Sequence, residues 1–370
     1  MRIVLSGGGT GGHIYPALAV AKQFSEEVPG TEFLYIGGTR GLESKLVPQE
    51  NIRFEAIEIS GFRRKLSMEN VKTVMKFLKG VSRAKQLLRE FKPDAVIGTG
   101  GYVCGPVVYA AAKLGIPTVI HEQNAVPGLT NKFLSKYVNT VAVSFEGTEK
   151  AFPGAKKVEY TGNPRATTVF KADKGRGYAS LGLSSGTDIV LVAGGSRGAK
   201  AINEAMIEMA PLTDKLPKVH FVYVTGESYY EATVQEIRKK AGRMPSRLHV
   251  LPYIHNMPEV LAATKLIAGR SGASFLAEVT SLGIPSILIP SPNVTNNHQE
   301  KNARSLEAAG AASVILENGL SGESLFREVQ RLMKDEPARQ EMAEAARKLG
   351  KPDSAHILVE MLRSLAAQKA

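Results

Sequence analysis

Tryptophan is absent from this 370-residue sequence, and cysteine occurs once, as Cys104. A single cysteine excludes a disulfide framework and a cysteine-ligated metal cluster, and it fits a reduced, cytoplasmic setting. No apolar stretch approaches the roughly 20 residues of a spanning helix. The opening "MRIVLSGGG" has five strand-like residues and then glycine, too short for the apolar core of a signal peptide. Aromatic content is 6%, and no RNP, KH or zinc-finger pattern occurs, so nucleic acid is not expected as a partner. Acid is scarce relative to base: Asp plus Glu total 35 against 47 Lys plus Arg, a formal charge of +12. Such an excess suits phosphorylated substrates or an anionic membrane surface.

What is present is a repeated α/β grammar. In the first half, short β-rich runs fall at 2–6, 32–38, 53–59, 94–100, 117–122 and 139–144, with helical patterns at 15–27, 69–91 and 104–114. The second half starts over, with runs at 188–195, 218–226, 247–254, 265–272 and 285–292 and helices at 199–211, 228–241, 273–282 and 298–309. Continuous apolar strands alternating with helices predict parallel sheets covered on both faces. The chain therefore reads as two doubly wound, Rossmann-like α/β domains, 1–163 and 164–352, joined near "YTGNPRATT". A last helix over about 353–370 is expected to pack back on the first domain.

Each half opens with a strand running into glycines, "LSGGGTGGH" (5–13) and "VAGGSRGA" (192–199). Gly7, Gly9 and Gly12 spell GxGxxG, but the second strand ends "YIGGTRG" without the acid a dinucleotide ribose requires. His13 and Tyr15 also stand where such domains continue with small apolar residues. The loops "GTGGY" (98–102) and "GGSRGA" (194–199) likewise leave N–H groups at helix N-termini, where the macrodipole favours an anion. With no P-loop lysine motif and no acidic cluster for Mg²⁺, neither a cofactor nor a metal is expected. A sugar-nucleotide diphosphate held by backbone and side chains fits. Ligands of open α/β sheets bind beyond the carboxyl ends of the strands, and two facing sheets would gather these loops into one cleft.

Seven motifs occur in order across most of the chain: "GGGTGGHIYPALAVA", "GTGGYVCGP", "HEQNAVPGLTNK", "GNP", "GGSRGA", "RSGASFLAE" and "HQEKNA". Together they resemble the MurG family of bacterial cell-wall glycosyltransferases. The resemblance implies a glycosyltransferase B-type fold and inverting, metal-independent transfer of N-acetylglucosamine. The donor would be UDP-N-acetylglucosamine and the acceptor lipid I, giving lipid II for peptidoglycan. Another UDP-sugar enzyme of the same fold, such as a UDP-N-acetylglucosamine epimerase, is the alternative.

Carried onto these residues, the resemblance assigns His13 as general base to the acceptor's 4-hydroxyl, with Glu122 its rival. A helix N-terminus disfavours imidazolium and keeps the base form populated. Thr10, Gly11 and Gly12 would line the sugar-diphosphate, and Asn124 would meet the N-acetylglucosamine hydroxyls. Ser196, at a helix start, would face the diphosphate, where a fixed donor meets the charge developing on UDP. Glu278 would accept both ribose hydroxyls unless it is a solvated helix glutamate. Ile254 would contact uracil, and Gln299 the sugar hydroxyls. Two departures stand out: "GNPRA" replaces the usual "GNPVR", placing Arg165 one position early on the diphosphate. Phe275 occupies a place beside Ser274 where a threonine is common, leaving phosphate contacts to Ser274 and backbone N–H groups.

Residues 62–92 carry ten Lys or Arg against two Glu. At about 100° per residue, Val71, Val74, Met75, Leu78 and Val81 share a helical face beside Lys72, Lys76, Lys79 and Arg83. This segment is expected to seat the protein peripherally on the anionic cytoplasmic face of the membrane, unless the stripe is buried against the sheet.

Overall fold

A computed structural model of the chain describes residues 1–60 and 68–368, without the side chains of 68–72 and Thr295. It forms two compact units, Met1–Thr167 with Lys351–Ala370, and Thr168–Gly350. The first unit holds β1 (Arg2–Ser6), α1 (Gly11–Glu27), β2 (Glu32–Gly38), α2 (Glu43–Gln49), β3 (Arg53–Ile57), α3 (Met68–Phe91), β4 (Ala95–Gly98), α4 (Cys104–Lys113), β5 (Thr118–Glu122), α5 (Leu129–Leu134), β6 (Thr140–Val143) and β7 (Val158–Tyr160). Its seven strands are parallel in the order β3-β2-β1-β4-β5-β6-β7. The order reverses between β1 and β4, so the loops after these two strands lie side by side at the switch point.

The helix α6 (Arg165–Phe170) leads into the second unit, which holds α7 (Lys174–Ser180), β8 (Asp188–Ala193), α8 (Lys200–Met209), β9 (Val219–Val224), α9 (Tyr230–Ala241), β10 (Leu248–Leu251), α10 (Met257–Ala263), β11 (Leu266–Gly269), α11 (Ala273–Leu282), β12 (Ser286–Leu288), α12 (His298–Ala308), β13 (Ala312–Val314), α13 (Gly322–Lys334) and α14 (Glu336–Leu349). Its six parallel strands run β10-β9-β8-β11-β12-β13, with the switch between β8 and β11. The chain then returns to the first unit as α15 (Ser354–Ala367), whose Leu358, Val359 and Leu362 join Ile14, Val20 and Phe24 of α1 in one buried cluster. Thr167 Oγ1 donates to Pro352 O and accepts from Ala355 N at 3.0 Å, which fastens the returning segment.

Each sheet is buried on both faces, so its strands read as continuous apolar runs rather than alternating ones. The strand runs fall where the apolar pattern puts them, with ends trimmed by a few residues. Two elements carry no such run: β7 and β13 are three-residue outermost strands. Helix α1 begins at Gly11 rather than near residue 15: His13 N and Ile14 N both donate to Thr10 O, and Thr99 holds His13 O, so hydrogen bonds carry the first turn through glycines of low helix propensity.

Candidate functional site

At the switch point of the first unit, the loop after β1 is bonded to the loop after β4. Gly8 N donates to Gly100 O (3.3 Å), and Thr99 Oγ1 donates to His13 O (2.6 Å). Glu43, buried at the start of α2, accepts from Gly9 N (3.1 Å) and Gly38 N (3.0 Å). A Cβ at Gly8 would stand 2.3 Å from Glu43 Oε1, so a side chain there would push the carboxylate away from Gly9 N and Gly38 N. Gly12 is different: a Cβ there meets nothing nearer than Thr10 Oγ1 at 3.7 Å. Thr10 is the N-cap of α1 in extended conformation with no side-chain cap, and Thr10, Gly11 and Gly12 border solvent at the helix N-terminus. The first N–H groups of a helix have no partner within it.

His13 is the third residue of α1 and half-buried. Its Nδ1 lies 2.9 Å from Gly8 O. A carbonyl only accepts, so Nδ1 carries a proton, and in the neutral ring the lone pair is then on Nε2. Glu122 presents the opposite picture. Its Oε1 accepts from Asn124 N (3.0 Å) and Asn124 Nδ2 (3.3 Å), and its Oε2 from Gly128 N (3.0 Å) and Asn131 Nδ2 (2.8 Å). The carboxylate is buried and committed to the 123–131 loop. Asn124 is half-buried and turned by that carboxylate. The Arg165 guanidinium lies 5.3 Å from the centre of the Tyr15 ring, which places it beside α1 despite its shift in sequence.

Two neighbours in "HEQN" escaped the sequence reading. His121 is fully buried, donates from Nε2 to Gly162 O (2.8 Å) and accepts at Nδ1 from Gln123 Nε2 (3.0 Å). Burial pushes its pKa down to about 4. Gln123 Nε2 also donates to Thr99 O (2.7 Å).

In the second unit the switch-point loops are 194–199 and 270–272. Helix α8 starts at Lys200 with Ala199 as its N-cap, so Ser196 is an exposed loop residue, not a cap. The turn across Gly195 and Gly198 is closed by Gly198 N donating to Gly195 O (2.9 Å), which moves the helix start beyond the serine. Ser274 Oγ, in the first turn of α11, is buried and accepts or donates no hydrogen bond among the described residues. Phe275 packs partly into the core against β11. Glu278 is buried on α11, which removes the solvated-glutamate alternative. Ile254 is also buried in the core, so its side chain is not presented to a ligand and only its backbone is available. Gln299 Oε1 accepts from Ser291 N (2.9 Å), and Ser271 Oγ donates to Gln299 O (2.8 Å). Arg270, passed over in the sequence, pairs with Glu317 at 2.6 Å and donates to Ile289 O.

Residues 3–143 match the glycosyltransferase family 28 N-terminal domain, and residues 189–358 match its C-terminal domain. The chain belongs to glycosyltransferase family 28. Among its relatives, the UDP-N-acetylglucosamine–N-acetylmuramyl-(pentapeptide) pyrophosphoryl-undecaprenol N-acetylglucosamine transferase of Bacillus subtilis (strain 168) is 55% identical over 365 residues, 99% of each chain. The transferase of the same name from Bacillus licheniformis is 55% identical over 367 residues, again 99% of each. The crystal structure of Acinetobacter baumannii MurG superposes with TM-score 0.77 at 32% identity, covering 98% of this chain and 99% of that one. A UDP-GlcNAc 2-epimerase from Neisseria meningitidis superposes with TM-score 0.70 at 16% identity, which shows a shared fold and no more. The family 28 assignment thus spans both units and fits the glycosyltransferase B-type pair of Rossmann-like domains.

The basic segment 62–92, expected from the sequence to meet a membrane, is only partly described. Residues 62–67 and the side chains of Val71 and Lys72 lie outside the described residues. On the rest of α3, Val74, Met75 and Leu78 are 45%, 55% and 61% exposed, while Val81 is buried with Ala84, Leu87 and Leu88. The stripe read from the sequence therefore splits, because the helix rolls so that Thr73, Gly80 and Val81 are buried, with Gly80 against Pro106 of α4. Among the described residues no helix is long and apolar enough to cross a membrane.

Proposed function

We propose that the chain transfers N-acetylglucosamine from UDP-N-acetylglucosamine to the 4-hydroxyl of the muramoyl sugar of lipid I, giving lipid II for peptidoglycan. The observation that carries this reading is 55% identity, over essentially the whole chain, to transferases of that name.

The bond from His13 Nδ1 to Gly8 O supports His13 as the base. With Nδ1–H held by the carbonyl, Nε2 is the nitrogen that takes the hydroxyl proton, and the same carbonyl stabilises the imidazolium as it forms. Glu122 accepts four hydrogen bonds and is assigned to shaping the loop that carries Asn124. Thr10, Gly11 and Gly12 face the sugar-diphosphate in this reading, and Arg165, beside Tyr15 of α1, is the cation assigned to the diphosphate.

The second unit takes the donor. Ser196 and Ser274 Oγ, with the N–H groups at the start of α11, meet the negative charge that grows on UDP as the glycosidic bond breaks. Phe275 contributes its backbone N–H. Glu278 accepts from the ribose, Ile254 meets uracil through its main chain, and Gln299 donates from Nε2 to the sugar because its Oε1 is already bonded. The reaction is inverting and needs no metal, so UDP-N-acetylglucosamine should bind equally with and without EDTA.

The enzyme works peripherally at the anionic cytoplasmic face of the membrane. Support comes from the exposed Val74, Met75 and Leu78 on α3 and Leu129 and Phe133 on α5, with the Phe133 ring 6.0 Å from Phe77 of α3. Measuring UDP release with and without lipid I tests the reading. Release that depends on the lipid-linked acceptor is expected, and conversion of UDP-N-acetylglucosamine without any acceptor would favour an epimerase instead.

A further inference from the structure

Gln123 is 2% exposed, and its two amide atoms have opposite fates. Nε2 donates to Thr99 O and to His121 Nδ1, while Oε1 is buried with no hydrogen-bond partner among the described residues. Turning the amide over would set its oxygen against the carbonyl of Thr99, so the orientation is fixed by its neighbours. The position of that oxygen is informative. A Cβ built on Gly100 would lie 3.2 Å from His13 Nε2 and 3.6 Å from Gln123 Oε1, so both atoms flank the same glycine. Gly100 has φ +100°, and a side chain there would crowd both atoms.

We infer that Gln123 is a positioning residue for the transfer reaction, its Oε1 dipole held in place to stabilise His13 as the imidazole gains a proton. This rests on the reading of His13 as the base. A fixed dipole in a water-excluded place acts without reorganising when charge develops. The Oε1 end lies beside the same glycine as the nitrogen that becomes N–H. The Nε2 end is anchored through His121 to Gly162 O, so the amide is held by a chain of donors that ends on the backbone. Neutral His121 is essential to that chain, because an imidazolium could not accept at Nδ1.

The ionisable groups around the loops are Glu43 from α2, Tyr15 on α1, Tyr35 on β2, Tyr102 after β4, Cys104 on α4, Arg165 on α6, and His121 and Glu122 on β5. Burial pushes the Tyr35 hydroxyl and the Cys104 thiol up, away from the range followed. Glu43 is bonded to Gly9 N and Gly38 N, and Glu122 to four donors. Arg165 lies over Tyr15. None of these is exchanged by a change at Gln123, and His121 titrates near 4, below the range in which turnover is followed.

The test is the pH dependence of kcat between pH 5 and 9 for the full-length enzyme with saturating UDP-N-acetylglucosamine and a lipid I analogue. Gln123→Met removes the dipole at nearly constant volume, and Gln123→Glu replaces it with a carboxylate. The acidic limb should move to lower pH in Gln123→Met, with kcat down about tenfold and KM for the donor within twofold. It should move to higher pH in Gln123→Glu. A purely structural role would lower Tm and kcat in both variants without moving the limb in opposite directions, and that result overturns the proposal. His13→Ala separates the two readings. If the limb survives in that variant, the base assignment fails; if it vanishes there yet stays fixed in both Gln123 variants, only the role of Gln123 fails.

Discussion

The carboxylate of Glu43 accepts the backbone N–H of Gly9 at 3.1 Å, from a position 34 residues further along the chain. A glycine-rich turn after a first β-strand invites the reading of a phosphate cradle. Here the N–H of Gly9 is already taken by the protein's own carboxylate, which also accepts from Gly38 N. The first glycines of the loop therefore serve close packing, and the N–H groups proposed to meet an anion lie further on, at Gly11 and Gly12 in the first turn of α1.

That division predicts opposite outcomes for two alanine substitutions. Gly8→Ala drives a methyl to 2.3 Å from Glu43 Oε1 and should destabilise the first unit by roughly 1–3 kcal/mol, the usual cost of overpacking. Gly12→Ala finds open space inside a helix, where alanine is favoured by about 1 kcal/mol, so Tm should hold or rise. Activity should nevertheless fall, because the methyl occupies the space of the substrate. Thermal melts beside UDP-release assays check both, and a Gly12→Ala enzyme with full turnover would remove Gly12 from the site.

How much of this was legible in the sequence depends on the range of each interaction. Strand runs such as "RIVLS" and "DIVLVA" declare themselves because burial on both faces leaves continuous apolar residues. The strands β7 and β13 do not, since three outermost residues carry no pattern. Glu43 was invisible, as nothing in "GTRGLES" announces a carboxylate that will fold under a glycine loop. His121 and Gln123 were hidden between Glu122 and Asn124, whose roles drew the eye. Periodicity found the apolar residues of α3 but not the roll of the helix, which is decided by small Gly80 and Ala84 packing inward.

The competition between His13 and Glu122 should resolve cleanly. His13→Ala should lower turnover by about 10²–10⁴ while leaving donor affinity within a few-fold, the ordinary cost of losing a general base. Glu122→Gln turns an amide N–H₂ toward groups that are themselves donors, and should cost roughly 2–3 kcal/mol of stability. Compared at equal folded fraction, Glu122→Gln should retain turnover within about tenfold, since loop geometry and not proton transfer is damaged. Denaturant titrations with steady-state kinetics distinguish them. A stable but inactive Glu122→Gln would reverse the assignment.

Buried His121 makes the stability of the first unit depend on pH. Its pKa falls from 6.5 to about 4 on folding because burial disfavours the charged form. Above about 6.5 the ring is neutral folded or unfolded, and it contributes no slope. Between about 6.5 and 4 the unfolded chain binds the proton and the folded one does not, so stability falls as pH falls, by up to about 1.4 kcal/mol per unit. His121→Gln should flatten that part of the curve. His220 and His249, also lowered by burial, belong to the second unit and supply a background slope common to both proteins. An unchanged difference between wild type and variant from pH 7 to 5 would show that His121 is not the titrating group.

Docking to the membrane should depend more on apolar side chains than on charge. Of the basic residues beside the exposed stripe, Lys76 already pairs with Glu58 at 2.8 Å and Arg83 faces Glu55 at 3.5 Å, so part of their field is neutralised locally. Met75 and Leu78 are more than half exposed, and Phe133 extends the apolar surface from α3 onto α5. Burying a Leu or Met side chain fully is worth about 1.5–3 kcal/mol, and half of that from each of two residues corresponds to at least tenfold in binding. Each cation near an anionic surface adds about 1 kcal/mol, screened by salt. Sedimentation with phosphatidylglycerol or cardiolipin vesicles should therefore show binding that weakens with salt. Met75→Asp with Leu78→Asp should reduce it about tenfold or more, exceeding the effect of Lys76→Glu with Arg83→Glu. UDP-N-acetylglucosamine affinity should be unchanged in both, since none of the residues proposed for the donor lies on α3. Vesicle binding untouched by the Met75 and Leu78 changes would mean that this exposed face meets something other than lipid.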